Sequence, residues 1–275
     1  MPKKVDFFSL PAKLTQEVGI RVEQRYCTPQ TYSQIHRHDY LEIELIMQGG
    51  GVQQLNGSLY KLQNGSISIL RPADLHGVTL NKPTHYYNIS FSEHLLDHAL
   101  LQSIAAFRGN LYAVLTGEEF SMAGLLCQAL LLEAGRPKAN KLILHRLLEC
   151  LMLTVQKRLA LTLPPPSEQQ EPLQAALTYL QMHFMENPTL QQVAKVAHYN
   201  ASHFSTCFHR EMKQTYSQYL NHLKISYAKN LLITTDLKID RIGSECGFCS
   251  ESNFLRAFKQ VTGTSPLAYR REAHN

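Results

Sequence analysis

The chain has 275 residues, 44% hydrophobic and 18% charged, with a formal net charge of +5, enough for two ordinary domains that each bury a core. No run of about 18 uncharged apolar residues occurs, which speaks against a membrane-spanning helix. Met1-Pro-Lys-Lys-Val-Asp-Phe-Phe8 lacks the apolar stretch of a secretory signal, so a cytoplasmic location and no membrane partner are expected.

Residues 17 to 91 read as β-structure: short alternating runs divided by Gly49-Gly50-Gly51, Asn56-Gly57 and Asn64-Gly65. Asn56-Gly57, between Val52-Gln-Gln-Leu55 and Ser58-Leu-Tyr-Lys-Leu62, is a hairpin signal because both turn residues need positive φ. Closely spaced hairpins of this kind predict a sandwich or small barrel. Within this region His36-Arg-His38-x-x-x-Glu42 places two imidazoles and a carboxylate at equal parity, so on a continuous strand they face one side. Pro72-x-Asp74-x-His76 follows, and imidazole with carboxylate suits Zn, Fe, Mn or Ni.

From Glu93 onward the pattern turns helical, with Leu-rich helices predicted over Ser121–Ala134 and Lys141–Leu161. The second is apolar around more than one face (Leu142, Ile143, Leu147, Leu148, Leu151, Met152, Val155). Such a helix packs on two surfaces, its own domain and a partner subunit, or is buried in a large domain. At Leu161-Thr-Leu-Pro-Pro-Pro-Ser-Glu-Gln-Gln-Glu-Pro172 three consecutive prolines end any helix and mark the domain boundary.

After Pro172 the chain reads as helices, with 11 Lys and Arg against 7 Asp and Glu, a mild basic bias that fits phosphate contact. Leu190–Ala197 is a short amphipathic helix, His198-Tyr-Asn200 a break, and Asn200 the cap of a helix over Ala201–Met212. Helix, three-residue turn, helix is the DNA-binding arrangement. With Phe204, Cys207 and Phe208 turned inward, Ser202, Ser205, Thr206, His209 and Arg210 face out. The pattern recurs at Ile239–Cys246, Gly247-Phe248, Ser250 as cap, and Glu251–Val261, where Phe254 and Phe258 repeat the aromatic pair. Here Ser252, Asn253, Leu255, Arg256 and Lys259 face out. A helix from about Ser217 to Thr234 joins the two units; its roughly 27 Å, plus their width, suits adjacent major grooves about 34 Å apart.

The segment 172–271 resembles the DNA-binding domain of AraC/XylS-family regulators. The resemblance is carried by Ala228-Lys-Asn-Leu-Leu-Ile-Thr-Thr-Asp236, by Ile239-x-x-Ile-Gly-Ser-Glu-Cys-Gly-Phe-x-Ser-x-Ser-x-Phe-x-Arg-x-Phe-Lys259, and by Thr262-Gly-x-Ser-Pro-x-x-Tyr-Arg270. It implies a chain with fold class α+β: residues 1–161 an effector-binding and dimerising cupin-like barrel with flanking helices, 162–171 a linker, and 172–275 two helix-turn-helix units joined by a long helix. It implies a transcription regulator, an activator in style, with promoter DNA, RNA polymerase, a small-molecule effector and a second copy of itself as partners. The Cys246-x-x-Cys249 spacing then resolves into a buried aliphatic position and a small turn position, and Cys27, Cys127, Cys150 and Cys207 are too scattered for a disulfide framework. Lys213 departs from the family's glycine after the first recognition helix and costs strain if its φ is positive.

The first domain also resembles the two cupin motifs, through His36-Arg-His38-x-x-x-Glu42, Gly49, and Gly65 to His76. His36, His38, Glu42 and His76 are the candidate metal ligands, and His36, His38, Tyr40, Glu42, Glu44 and His76 the candidate effector contacts. Metal binding, direct ligand contact and a structural role all remain open for this set. Sugar-responsive members are the most similar in style, since Tyr40, Glu44, His76, His85 and Tyr86 offer hydroxyl partners and stacking faces. A metal-dependent cupin isomerase or dioxygenase is the rival, but no such chemistry needs the C-terminal units, so no catalytic residues are assigned. An architectural DNA-binding protein without an effector leaves the barrel motif unexplained.

Overall fold

The computed structural model describes residues 6–8, 19–29, 31, 33–72, 74–107, 109–161 and 172–274. The expected proline-rich linker, 162–171, lies outside the described residues. The N-terminal half contains strands β1 (Asp6–Phe8), β2 (Ile20–Cys27), β3 (His36–His38), β4 (Leu41–Gln48), β5 (Gly51–Leu55), β6 (Ser58–Leu62), β7 (Ser66–Leu70), β8 (His76–Leu80), β9 (Thr84–Phe91) and β10 (Leu111–Val114). They build two five-stranded sheets, ordered β1-β3-β8-β5-β6 and β10-β7-β4-β9-β2. Asn56 and Gly57, with φ of 48° and 84°, turn the β5–β6 hairpin as the Asn-Gly pair predicts.

The polarity of the barrel follows from period-two alternation. On β4, Leu41, Ile43 and Leu45 face away from the other sheet, and on β9 so do Tyr87, Ile89 and Phe91. These residues pack beneath α2 (Gly117–Ala134) and α3 (Lys141–Leu161), which contribute Cys127, Leu130, Leu148, Leu151, Met152 and Val155 to one continuous core. The alternate residues Glu42, Glu44, Asn88 and Ser90 therefore point between the sheets. The main apolar core lies outside the barrel, and the space between the sheets is lined by polar residues together with Phe8, Val78 and Leu80.

Two sequence expectations change here. The region after Glu93 is not helical throughout: a 3-10 turn over 93–95 and α1 (His98–Ala106) are followed by β10. Leu111-Tyr-Ala-Val114 alternates, and it pairs antiparallel with β7. Helix α2 begins at Gly117, four residues before the expected Ser121, with Glu118 and Glu119 in its first turn complementing the helix dipole. Helix α3 matches its predicted bounds, and part of its second apolar surface is the C-terminal half, where Leu142 packs.

The C-terminal half is helical: α4 (Pro172–His183), a 3-10 turn over 184–186, α5 (Leu190–Val196), α6 (Ala201–Met212), α7 (Tyr216–Thr234), α8 (Ile239–Glu245), α9 (Glu251–Thr262) and α10 (Pro266–His274). Side-chain caps start the helices. Thr189 with Gln192 and Thr215 with Gln218 close capping boxes on α5 and α7, while Asn200 and Ser250 accept from the amides of His203 and Asn253. Phe204, Phe208 and Met212 belong to one core, and Phe254, Phe258 and Tyr269 to a second. Helix α7 runs through both, giving Tyr219 and Leu223 to the first and Ala228 and Leu232 to the second. Lys213 does take φ of 55°, where Gly263 in the second unit has 77°.

The halves are in contact. Asn230 Nδ2 donates to the carbonyls of Leu96 at 2.8 Å and His94 at 3.3 Å, and Gln181 Nε2 donates to Glu93 Oε1 at 2.9 Å. His98 packs edge-on to Phe184, and Lys141 Nζ lies 4.3 Å from the centroid of the Tyr269 ring.

Candidate nucleic-acid interface and effector cavity

Helices α6 and α9 present the same face. In each, two buried phenylalanines four residues apart set the phase, and all ten expected outward residues are exposed: Ser202, Ser205, Thr206, His209 and Arg210 on α6, and Ser252, Asn253, Leu255, Arg256 and Lys259 on α9. The two faces differ in reach. The middle of α6 carries short hydroxyls, whereas α9 carries Arg256, whose Nη2 donates to Asn253 Oδ1 at 3.0 Å. Arg210 Nε pairs with Glu211 Oε1 at 2.7 Å. His203, not among the expected residues, is exposed on the same turn as Ser202 and stacks edge-on to Tyr199.

The spacing of the units is held at Gly247. Its carbonyl accepts from Asn187 Nδ2 and Lys224 Nζ, each at 2.9 Å. A Cβ there would meet the Met185 carbonyl oxygen at 2.3 Å, and φ is 75°, so only glycine lets the turn after α8 press on the first unit.

Between the two sheets lies a cavity of about 570 Å³, within the range of small-molecule sites. Its lining includes His36, Tyr40, Glu42, Glu44 and Tyr86, as the sequence suggests. It also includes Arg21, Glu23 and Arg25 from β2 and Asn88 and Ser90 from β9, which sequence reasoning missed. The available signal was the polar alternation Arg21-x-Glu23-x-Arg25, opposite Tyr86-x-Asn88-x-Ser90 in the register Arg21↔Ser90, Glu23↔Asn88 and Arg25↔Tyr86. His85 does not belong. Adjacent to Tyr86 on one strand, it points to the opposite face, where it stacks on Tyr26 with centroids 4.4 Å apart.

The cavity's charges are largely paired internally. Arg25 Nε donates to Glu23 Oε2 at 3.1 Å, and Arg21 pairs with the other oxygen. Burial works to raise the Glu23 carboxyl, but hydrogen bonds and charge from Arg25 and Arg21 hold it below its ordinary value. Burial and the Glu42 charge push Glu44 up to about 8, favouring its protonated form, while its Oε2 accepts from Gln53 Nε2 at 2.7 Å.

Behind the lining, His38, Glu42 and His76 come together with their ligand atoms within 4.8 Å of one another, all buried. They do so without a continuous strand. His38 ends β3 in one sheet and Glu42 lies on β4 in the other, so the parity argument fails while the convergence holds. His36 falls outside the trio: its Nδ1 is 2.8 Å from the Gln34 carbonyl oxygen, and its ring packs 4.1 Å from that of His76. His76 opens β8, one strand further along than the turn at Gly65 leads.

His38 Nδ1 lies 2.8 Å from the Tyr40 carbonyl oxygen and His76 Nδ1 3.4 Å from that of Asp74. Each Nδ1, facing a carbonyl oxygen, is a donor. Both Nε2 atoms are buried with no hydrogen-bond partner, His38 Nε2 lying 3.2 Å from Glu42 Oε2 but off the bonding direction. Burial and the charge of His38 push His76 down to about 3. Burial opposes ionisation of Glu42, yet the His38 contact, the His38 and His76 charges and the Asn88 amide hold it at about 2. Two imidazoles beside a carboxylate, backed by carbonyls and an amide, form a donor set that fits a divalent metal.

Residues 20–148 match the AraC-like ligand binding domain family, and residues 193–272 the helix-turn-helix domain family. The chain is 28% identical to the HTH-type transcriptional activator RhaS of Pectobacterium carotovorum over 98% of this chain and 96% of that one. It is 27% identical to the HTH-type transcriptional regulator YfiF of Bacillus subtilis over 86% and 78% of the two chains. The crystal structure of ToxT from Vibrio cholerae O395 superposes with a TM-score of 0.38 at 12% identity, covering 93% of this chain and 98% of that one. These relatives are transcription regulators by name, and none carries the name of a cupin isomerase or dioxygenase. No helix among the described residues is long and apolar enough to cross a membrane. The chain is a DNA-binding transcription regulator of the AraC family, with an AraC-like ligand-binding domain ahead of its helix-turn-helix domain.

Proposed function

We propose that this chain is a transcription activator controlled by a neutral, polyhydroxylated small molecule, a sugar or sugar derivative, bound between the two sheets. The observation that carries this reading is the cavity's inventory. Its arginines are tied to Glu23, burial beside Glu42 favours the protonated form of Glu44, and Tyr40, Tyr86, Asn88 and Ser90 add neutral donors and acceptors. An anion would find no unpaired cation among the described lining residues, and an apolar ligand would strand buried polar groups, whereas hydroxyls both donate and accept. Residues 1–161 serve as the sensor and 172–275 as the DNA-binding domain, with 162–171 between them. Contacts to the effector come from His36, Tyr40, Glu42 and Glu44, and contacts to promoter DNA from the ten outward residues of α6 and α9. The active species is a homodimer. Met122, Leu125 and Leu132 on α2 and Leu153 on α3 leave an exposed apolar face that supports it. RNA polymerase is the downstream partner, in the cytoplasm where the promoter is read.

A thermal-shift panel of neutral sugars, sugar acids and fatty acids on the whole protein tests the effector class. At a saturating concentration a neutral sugar should raise Tm by about 4 °C or more. A shift only with acids or fatty acids overturns the reading.

A second reading is favoured by the two orphaned Nε2 atoms: His38, Glu42 and His76 hold a divalent metal, Zn, Ni, Mn or Fe, at the inner wall of the cavity. A bound metal would supply a Lewis-acid partner for a ligand hydroxyl or would brace the barrel. Purified protein should then carry close to one metal per chain, and His38→Ala should abolish it. Metal-free protein whose Tm is unmoved by added Zn, Ni or Mn rules the centre out.

A further inference from the structure

Five consecutive residues face both halves of the protein. Along 36–40, His36 and Tyr40 line the cavity and His38 is buried with its ring stacked on that of Tyr40, centroids 4.0 Å apart. The residues between them look the other way. Arg37 Nη1 lies 2.6 Å from Oε2 of Glu211, the penultimate residue of α6, and both side chains are mostly buried, at 13% and 24% exposure. The second oxygen of that carboxylate takes Arg210, on the outer face of the same recognition helix. The charge of Asp39 falls on Tyr219 and His222 of α7 and on Glu93.

The strand that carries these residues is lightly held. β3 has three residues, paired to the equally short β1 on one side and to β8 through the single match His36↔His76 on the other. Elsewhere the halves are clamped, with Asn230 bonded to the carbonyls of His94 and Leu96 in and after the 3-10 turn. A short strand beside a fixed clamp is the element with least resistance to displacement.

We propose that the segment His36–Tyr40 transmits the state of the cavity to the first helix-turn-helix unit through the Arg37–Glu211 ion pair. A ligand that shifts His36 or Tyr40 moves Arg37, and a half-buried pair does not stretch at small cost: it holds or it breaks. Breaking it loosens α6 from the barrel and releases the carboxylate that also orients Arg210, changing what the first unit offers to phosphate. The inference deepens the effector-cavity reading, but its test needs no effector.

Hydrogen exchange of the amides of residues 201–212 is measured in the full-length chain for the wild type, Tyr40→Ala, Arg37→Gln and the double variant. Tyr40→Ala and Arg37→Gln should each speed exchange at least about threefold, and the double variant should exchange no faster than Arg37→Gln alone. Arg37→Lys, which keeps the pair, should behave as wild type. Exchange across 41–48 reports whether the barrel stays folded; if Tyr40→Ala disrupts it, His36→Gln takes its place in the cycle. Multiplicative effects in the double variant, or no change at 201–212 on altering the cavity side, overturn the proposal. A sugar panel that shows no binding leaves this cycle readable, so the two failures are told apart.

Discussion

Arg256 and Thr206 occupy equivalent turns of the two recognition helices, fifty residues apart, and they differ in reach. Thr206 and its neighbours Ser202 and Ser205 are short, whereas Arg256 is long, exposed and braced by Asn253. An arginine so placed can pair with guanine O6 and N7, so Arg256→Ala should cost about 1–3 kcal/mol and relax selectivity at one base pair. Competition binding with single-base operator variants checks this; equal losses on all variants would assign Arg256 to phosphate. These positions were legible in the sequence because Phe204/Phe208 and Phe254/Phe258 set the helical phase locally. The cavity was legible only in part. Arg21, Glu23 and Arg25 meet it through a register with residues more than sixty positions away, which no local pattern encodes. His85 was misplaced although its parity opposite Tyr86 was available. A further residue-scale effect lies at the interface, where burial and the charge of Asp39 push Glu93 up to about 7 against the pull of the Gln181 amide. A carboxyl raised above 4.5 binds its proton more tightly folded than unfolded, so its contribution is whole below that pH and is lost as pH rises through 7. Glu93→Gln should flatten the fall in stability between pH 5 and 8. Because the carboxyl is half-buried and screened, the gain at pH 8 is about 1 kcal/mol, read by urea melts; an unchanged slope would discount the interface carboxyl.

The helices of the C-terminal half were the most legible elements, because capping residues and aromatic spacing are local signals. Predicted and observed bounds for α6 coincide, and those for α5, α7, α8 and α9 differ by a residue at one end. The elements that sequence missed owe their existence to tertiary pairing. β1 is three residues that become a strand only beside β3, and β10 four that do so only beside β7. Lys213 marks a conflict between local and global preference that the sequence did reveal. Its φ of 55° ends α6 in the left-handed region, and its amide donates to the His209 carbonyl at 3.0 Å. A side chain there strains the turn, yet the turn must form for α7 to start. Lys213→Gly should therefore stabilise the whole chain by about 0.5–1 kcal/mol, seen as a higher denaturant midpoint with an unchanged slope. A lower midpoint would mean that the lysine's own contacts outweigh the strain.

At the scale of the molecule, a barrel with an internal cavity and an external apolar core is in contact with a bipartite helical half. The proline run predicts two separable domains; the buried residues of each core come from one half, while Leu142 of the first half packs on the last core. The contacts between them were not legible, since Asn230 meets His94 and Leu96 across more than 130 positions, and Leu142 and Lys141 reach the second helix-turn-helix unit from the start of α3. This interface alters what isolating the reader should do. Residues 172–275 contain both buried phenylalanine pairs and the whole of α7, so the fragment should give a cooperative helical melt by circular dichroism. It should melt below the same segment in the full chain, because Asn230 and the Tyr269 ring lose their partners from the barrel half. As a monomer it should also bind an operator about 10²–10⁴-fold more weakly than the proposed dimer, through lost effective concentration. Fusing the fragment to an unrelated dimeric protein should recover most of that affinity while leaving the lower melting temperature unchanged. A fragment that melts without cooperativity would show that the barrel interface, not the paired aromatic cores, holds the reader together.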